Sequence, residues 1–184
     1  KDNASLITSL GQVYMQAPSD KDYILSQYDL NEGGRIAEKA NEIMIVANGD
    51  WALTDLLLAQ LGYYNQEEFI NIALKAAEDI DFNPDLPVRE KISHEELMGK
   101  KFVWYDNDTV FTKTPATNPF ASINPFTYSA YEQEEWQGLE FEIVGVLTPK
   151  ENMNYGCLQA GFYYTEAFAN YANAEDCKEY LVFS

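Results

Sequence analysis

The sequence predicts an α+β protein, a mixed sheet with helices packed on it. Three observations lead there. Two short, nearly uninterrupted apolar runs, at residues 42–47 and 139–147, suit buried strands. Helical periodicity appears between and around them, without the regular strand–helix alternation of a doubly wound sheet. The 184 residues are 46% hydrophobic and 23% charged, near globular averages, so the chain can fill a core. It reads as one domain over residues 1–184, or as two small subdomains sharing a core.

In chain order, Leu6, Ile7, Leu10, Val13 and Tyr14 follow helical spacing, giving a short amphipathic helix that ends at residues 18–20. Residues 23–30 alternate well enough for a strand stopped by Gly33 and Gly34. The run at 42–47 is a buried strand, followed by a turn at Asn48, Gly49 and Asp50. Leu53, Leu56, Leu57, Ala59 and Leu61 make an apolar helix capped by Gly62. Asn65 and Glu68 form a capping-box-like start for another helix, with Phe69, Ile72, Ala73 and Ala76 on one face, and Pro84 and Pro87 bracket a turn.

Ser93 opens a further one or two helical turns that end at Gly99. Residues 101–105 and 109–113 read as a hairpin across Asp106, Asn107 and Asp108. Residues 115–131 are uncharged, with three prolines and the aromatics Phe120, Phe126, Tyr128 and Tyr131. That is too broken for a helix and too long for a turn. With Trp136, this 115–136 stretch reads as a structured loop or insertion, and as the candidate partner surface or a segment packed on its own core. Residues 139–147 give the clearest strand, 162–165 another, and 166–171 a helix behind it.

Charge narrows function. Thirty acids against twelve bases leave a net charge of −18, which repels phosphate backbones and anionic headgroups, so neither nucleic acid nor lipid is expected as a direct partner. Lys1 at the start, and the apolar residues 181–183 near the end, read as an excised piece of a longer chain. No run reaches the roughly 18–20 apolar residues a membrane span needs.

Candidate chemistry is thin. His94 stands beside Glu95 and Glu96, but Met98 occupies the place of the second histidine in a zinc-protease helix. Cys157 and Cys177 could pair in an oxidising exterior, or stand as two independent small core residues. A Cys157–His94 pair has little to support it. Glu132, Glu134, Glu135 and Trp136 could be named as a sugar-cleaving group, with a solvated acidic face as the plainer account. Asp106–Asp108 lacks the later ligands of a calcium loop, and Gly33-Gly34 lacks the lysine of a phosphate loop. No catalytic residue, metal or cofactor is expected.

Several passages share one order with a known family. Gln27-Tyr28-Asp29-Leu30 leads through Gly33-Gly34-Arg35 to Asn41-Glu42-Ile43-Met44-Ile45-Val46. Then come Asn48-Gly49-Asp50 with Leu61-Gly62, Ile92 to Phe102 around Leu97-Met98-Gly99-Lys100, the Ile143-Val144-Gly145-Val146 strand with Pro149, and Gly161-Phe162-Tyr163-Tyr164-Thr165. Together they resemble the extracytoplasmic, MacB-like periplasmic core domain of bacterial ABC-transporter permeases of the FtsX/MacB type. Ile36-Ala37 departs from that pattern, in which a bulky residue and a proline usually follow the arginine. The resemblance implies a non-catalytic domain on the outer side of the cell membrane, of a Gram-positive bacterium. Its partners would be its own transmembrane helices and a separate cytoplasmic ATPase. It would relay ATP-driven motion or recognise an exported substrate, peptide or protein. The rival reading is a free-standing surface or secreted binding module, an adhesin or solute receptor.

Overall fold

Two apolar strands a hundred residues apart in sequence lie side by side at the centre of the molecule. The computed structural model describes residues 14–51, 53–64, 71, 75, 93–106, 111–115, 117–118, 125–128, 138–153 and 156–176. In it β3 (Glu42–Val46), buried along its whole length, runs parallel to β7 (Leu139–Pro149). β8 (Gly161–Tyr164) lies antiparallel on the other side of β3, and β1 (Tyr14–Gln16) pairs parallel with β8 at the edge. The far edge of β7 is shared. β2 (Tyr28–Leu30) pairs antiparallel with its C-terminal end and β4 (Lys101–Trp104) antiparallel with its N-terminal end. The six strands make a mixed sheet, and the protein is α+β.

The stretch between β2 and β3 fills the gap on that edge. Asn31 donates its backbone N–H to the Val146 carbonyl at 3.0 Å, and Arg35 donates its own to Val144 at 2.8 Å. Val144 is the extra residue of a bulge, because Ile43 faces Ile143 while Met44 faces Gly145. Gly145 is required there by close approach: a Cβ would come 2.5 Å from the Arg35 carbonyl oxygen.

Both sheet faces are buried, as a continuous apolar β3 demands. On one face Ile43, Ile45, Phe141, Ile143 and Phe162 pack against Leu57, Leu97 and Phe168 from three helices, Asp55–Gln60, His94–Met98 and Glu166–Asp176, and against Leu61, which caps the first. On the other, Met44, Val46, Val144, Leu147 and Tyr163 pack against Ile24, Tyr28, Ala37 and Leu158. The helix starts follow elementary capping. Thr54, Ser93 and Thr165 each accept a backbone N–H three residues on, at 3.2, 3.1 and 3.0 Å. Gly62 takes φ 78° just past its helix, the left-handed turn its position predicted.

Three sequence expectations are corrected. Residues 23–30 are not one strand: Lys21–Gln27 is a helix, and only Tyr28–Leu30 is extended. The Asp20 carboxylate accepts the Tyr23 N–H at 3.0 Å, and this cap starts a helix that buries Ile24 on one side. Tyr14 belongs to β1 and not to an N-terminal helix; residues 1–13 lie outside the described residues. Among the described residues, the expected hairpin of residues 101–105 with 109–113 is not the pairing found either. β4 pairs with β7, bringing Phe102 opposite Phe141, while β5 (Phe111–Lys113) pairs with β6 (Phe126–Tyr128) in a separate two-stranded sheet. Of the helix expected from Asn65, only Asn71 and Lys75 are described, both helical; Pro84 and Pro87 lie outside. Among the described residues no helix is long and apolar enough to cross a membrane.

Candidate functional site

Arg35 and Glu42, seven residues apart in the sequence, meet in the structure. Glu42 opens β3 with 1% of its side chain exposed, so its carboxylate needs partners. Arg35 supplies two parallel bonds, from Nη1 to Oε2 at 2.8 Å and from Nη2 to Oε1 at 2.6 Å. The backbone N–H groups of Glu38 and Lys39 donate to Oε2 at 2.9 and 3.1 Å, and Lys39 Nζ lies 3.5 Å from Oε1. The Arg35 guanidinium first, with the Lys39 amide and the two positive charges, outweighs the opposing cost of burial and lowers the Glu42 carboxyl to about 2. Arg35 is held protonated by the same contact.

A second set of contacts ties the start of the signature to the loop before β8. Tyr28 is 1% exposed. Its hydroxyl donates to the Leu158 carbonyl at 2.6 Å and accepts the Leu158 N–H at 2.7 Å. Gln27 Oε1 accepts the Cys157 N–H at 2.8 Å. Tyr163 repeats the Tyr28 pattern on Gln159, donating to its carbonyl at 3.0 Å and accepting its N–H at 3.1 Å. Burial pushes the Tyr163 phenol up to about 12. Asn31 Oδ1 accepts the Val146 N–H at 2.8 Å, so an amide side chain continues the ladder of β7. Among the described residues no buried side-chain nitrogen or oxygen lacks a partner.

The latched loop forms one wall of a groove of about 880 Å³. Met15 and Pro18 come from the edge of the sheet, Ala47 to Gly49 from the end of β3, and Pro149 to Met153 from the end of β7. Sequence reasoning missed the groove because its walls come from three regions far apart in the chain, around residues 15–18, 47–49 and 149–163. No local signal joins them.

The residues singled out from the sequence scatter. Phe126 lies on β6 with 62% of its surface exposed. Tyr128 ends the same strand, and Phe120, Tyr131 and Trp136 lie outside the described residues. So do Glu132, Glu134 and Glu135. His94 tilts against the Trp51 indole, ring centroids 4.7 Å apart, and Trp51 itself takes φ 61°. Cys157 is exposed in the groove wall, whose lining does not include His94; Cys177 lies outside the described residues. Among the described residues no three His, Cys, Asp or Glu side chains are grouped to hold a metal ion.

No family model, curated protein or solved structure matches this chain.

Proposed function

We propose that this chain is the non-catalytic extracellular domain of an ABC-transporter permease of the FtsX/MacB type. It relays motion between its own transmembrane helices and an exported peptide or protein, with ATP hydrolysed by a separate cytoplasmic subunit. One observation carries this reading. Gln27, Tyr28, Arg35 and Glu42, which bear the resemblance, and Asn31 between them spend their polar atoms on one another and on the chain around them. Groups so engaged stiffen a body and leave little to act on a substrate. The exposed Phe126 on the β5–β6 hairpin supplies contact area for a partner at low ordering cost.

The test is the parent reading frame. One transmembrane helix before this segment and three clustered after it are expected. A lipid-attachment signal with no spanning helices would overturn the permease in favour of a free-standing receptor, the second reading, which the 880 Å³ groove favours.

A further inference from the structure

We propose that His94 and Trp51 form a pH-sensitive latch that steadies one wall of the groove. The two rings stand out for separate reasons. His94 is the one histidine of the chain, and histidine is the side chain whose ordinary charge change lies between about pH 5 and 8. Its half-buried ring sits 4.7 Å from the Trp51 indole, tilted by 52°. Trp51 is the sole non-glycine residue at positive φ among those described. Its 61° is a conformation that a bulky side chain keeps only where the surroundings impose it.

The turn Gly49–Trp51 has a fixed end and an adjustable one. At the fixed end Ala47 donates its N–H to the Leu147 carbonyl at 2.8 Å, and the Thr148 hydroxyl donates to the Asn48 carbonyl at 2.9 Å. At the other end Trp51 rests on His94 and on the buried cluster that contains Leu57 and Leu97. Asn48 and Gly49 line the groove, so a change in the hold on Trp51 reaches its wall within two or three residues.

Charge sets the strength of that hold. A neutral imidazole meets the indole by packing alone, whereas an imidazolium within about 6 Å of the ring centroid is also drawn to the π face. Among the described side chains, the other charged groups here are Glu95 and Glu96 on the same helix and Lys100 just past it. Glu96 accepts the Tyr63 hydroxyl at 2.9 Å. Lys100 Nζ lies 4.1 Å over the Tyr63 ring and donates to the Leu61 carbonyl at 3.0 Å. β7 meets the turn with the neutral Leu147 and Thr148. Protonation of His94 therefore tightens the latch. Rising pH loosens it and releases Trp51 from its strained backbone.

This goes beyond the relay reading and does not depend on it, because a free-standing receptor would respond to pH in the same way. The whole chain, labelled with ¹⁵N and otherwise unmodified, is followed by NMR from about pH 8 to pH 5. The Glu42 carboxyl, lowered to about 2 by Arg35, keeps its charge over that range. The Trp51 indole N–H and the Gly49 amide are expected to shift with the midpoint of the His94 ring, and the Trp104 indole N–H on β4 is not. His94→Gln is expected to abolish the shared midpoint. In Trp51→Leu the proton affinity of the His94 ring is expected to fall about two- to fivefold, the share an indole face contributes. The titration of the unmodified chain decides the matter whether or not that variant folds. Trp51 and Gly49 signals that stay put while the ring titrates, that move equally in His94→Gln, or an unchanged proton affinity in folded Trp51→Leu would each overturn the proposal.

Discussion

The Arg35 guanidinium grips the Glu42 carboxylate with two bonds of 2.8 and 2.6 Å, and does so at the mouth of the central strand. Only one partner is buried: Glu42 is enclosed, whereas Arg35 keeps 49% of its side chain in water. The pair therefore avoids the full desolvation cost of two ions while holding the 35–42 connector to β3.

Arg35→Ala strands the enclosed carboxylate with Lys39 at 3.5 Å as its nearest remaining cation. The variant is expected to be about 3 kcal/mol less stable in urea denaturation, with the Glu42 carboxyl rising from its depressed value. A loss under about 0.5 kcal/mol would show that the grip contributes no net stability.

Acid should weaken the fold for the same reason. The Glu42 carboxyl is lowered from 4.5 to about 2 on folding, so its contribution is complete above the unfolded value and is lost as pH falls from there towards 2. The size is roughly 2–3 kcal/mol, discounted for the exposure of Arg35. Denaturation midpoints measured from pH 6 down to pH 2 check it, and Glu42→Gln should flatten that part of the curve.

Tyr28→Phe removes a buried hydroxyl and leaves both backbone groups of Leu158 without that partner. A cost of about 2 kcal/mol is expected. The same change loosens the 156–160 loop, so Cys157 should react faster with a thiol reagent than in the parent chain when both carry Cys177→Ser.

Gly145→Ala drives a methyl against the Arg35 carbonyl, 2.5 Å from the ideal Cβ position. Backbone must move on one side or the other, at a cost of about 1–3 kcal/mol by thermal or urea unfolding.

Phe126→Ser separates contact from packing. With 62% of its surface exposed, Phe126 contributes little to the fold, and stability should change by less than about 0.5 kcal/mol. Under the proposed function, the same variant in the full-length protein should weaken partner capture measured by co-purification.

Much of the sheet was legible because burial on both faces writes itself into sequence as unbroken apolar runs. Ile43–Val46 and Ile143–Leu147 are such runs, and the Ser93 cap and the Gly62 turn follow from backbone chemistry at one position. The helix Lys21–Gln27 was misread because two turns holding Tyr23, Ile24 and Leu25 look much like an extended apolar stretch. Its deciding signal is the single cap at Asp20. The pairing of β4 was hidden for a different reason. Asp106, Asn107 and Asp108 are good turn residues, whereas the Phe102–Phe141 register and the Lys101–Glu140 ion pair at 2.6 Å depend on a strand nearly forty residues away. At the candidate site, an acid opening an apolar strand seven residues after an arginine was visible. That the two would clasp each other was not, since the turn between them is irregular.

β7 is lined on one edge by β3 and on the other by β2, residues 31–35 and β4 in succession. Ladder bonds lie across a strand, so tension along β7 loads all of them in parallel, while peeling from the side meets them one at a time. The eleven-residue strand therefore behaves as a spar: axial pull displaces the sheet as a block, and yielding is confined to sideways tearing at the short edge strands.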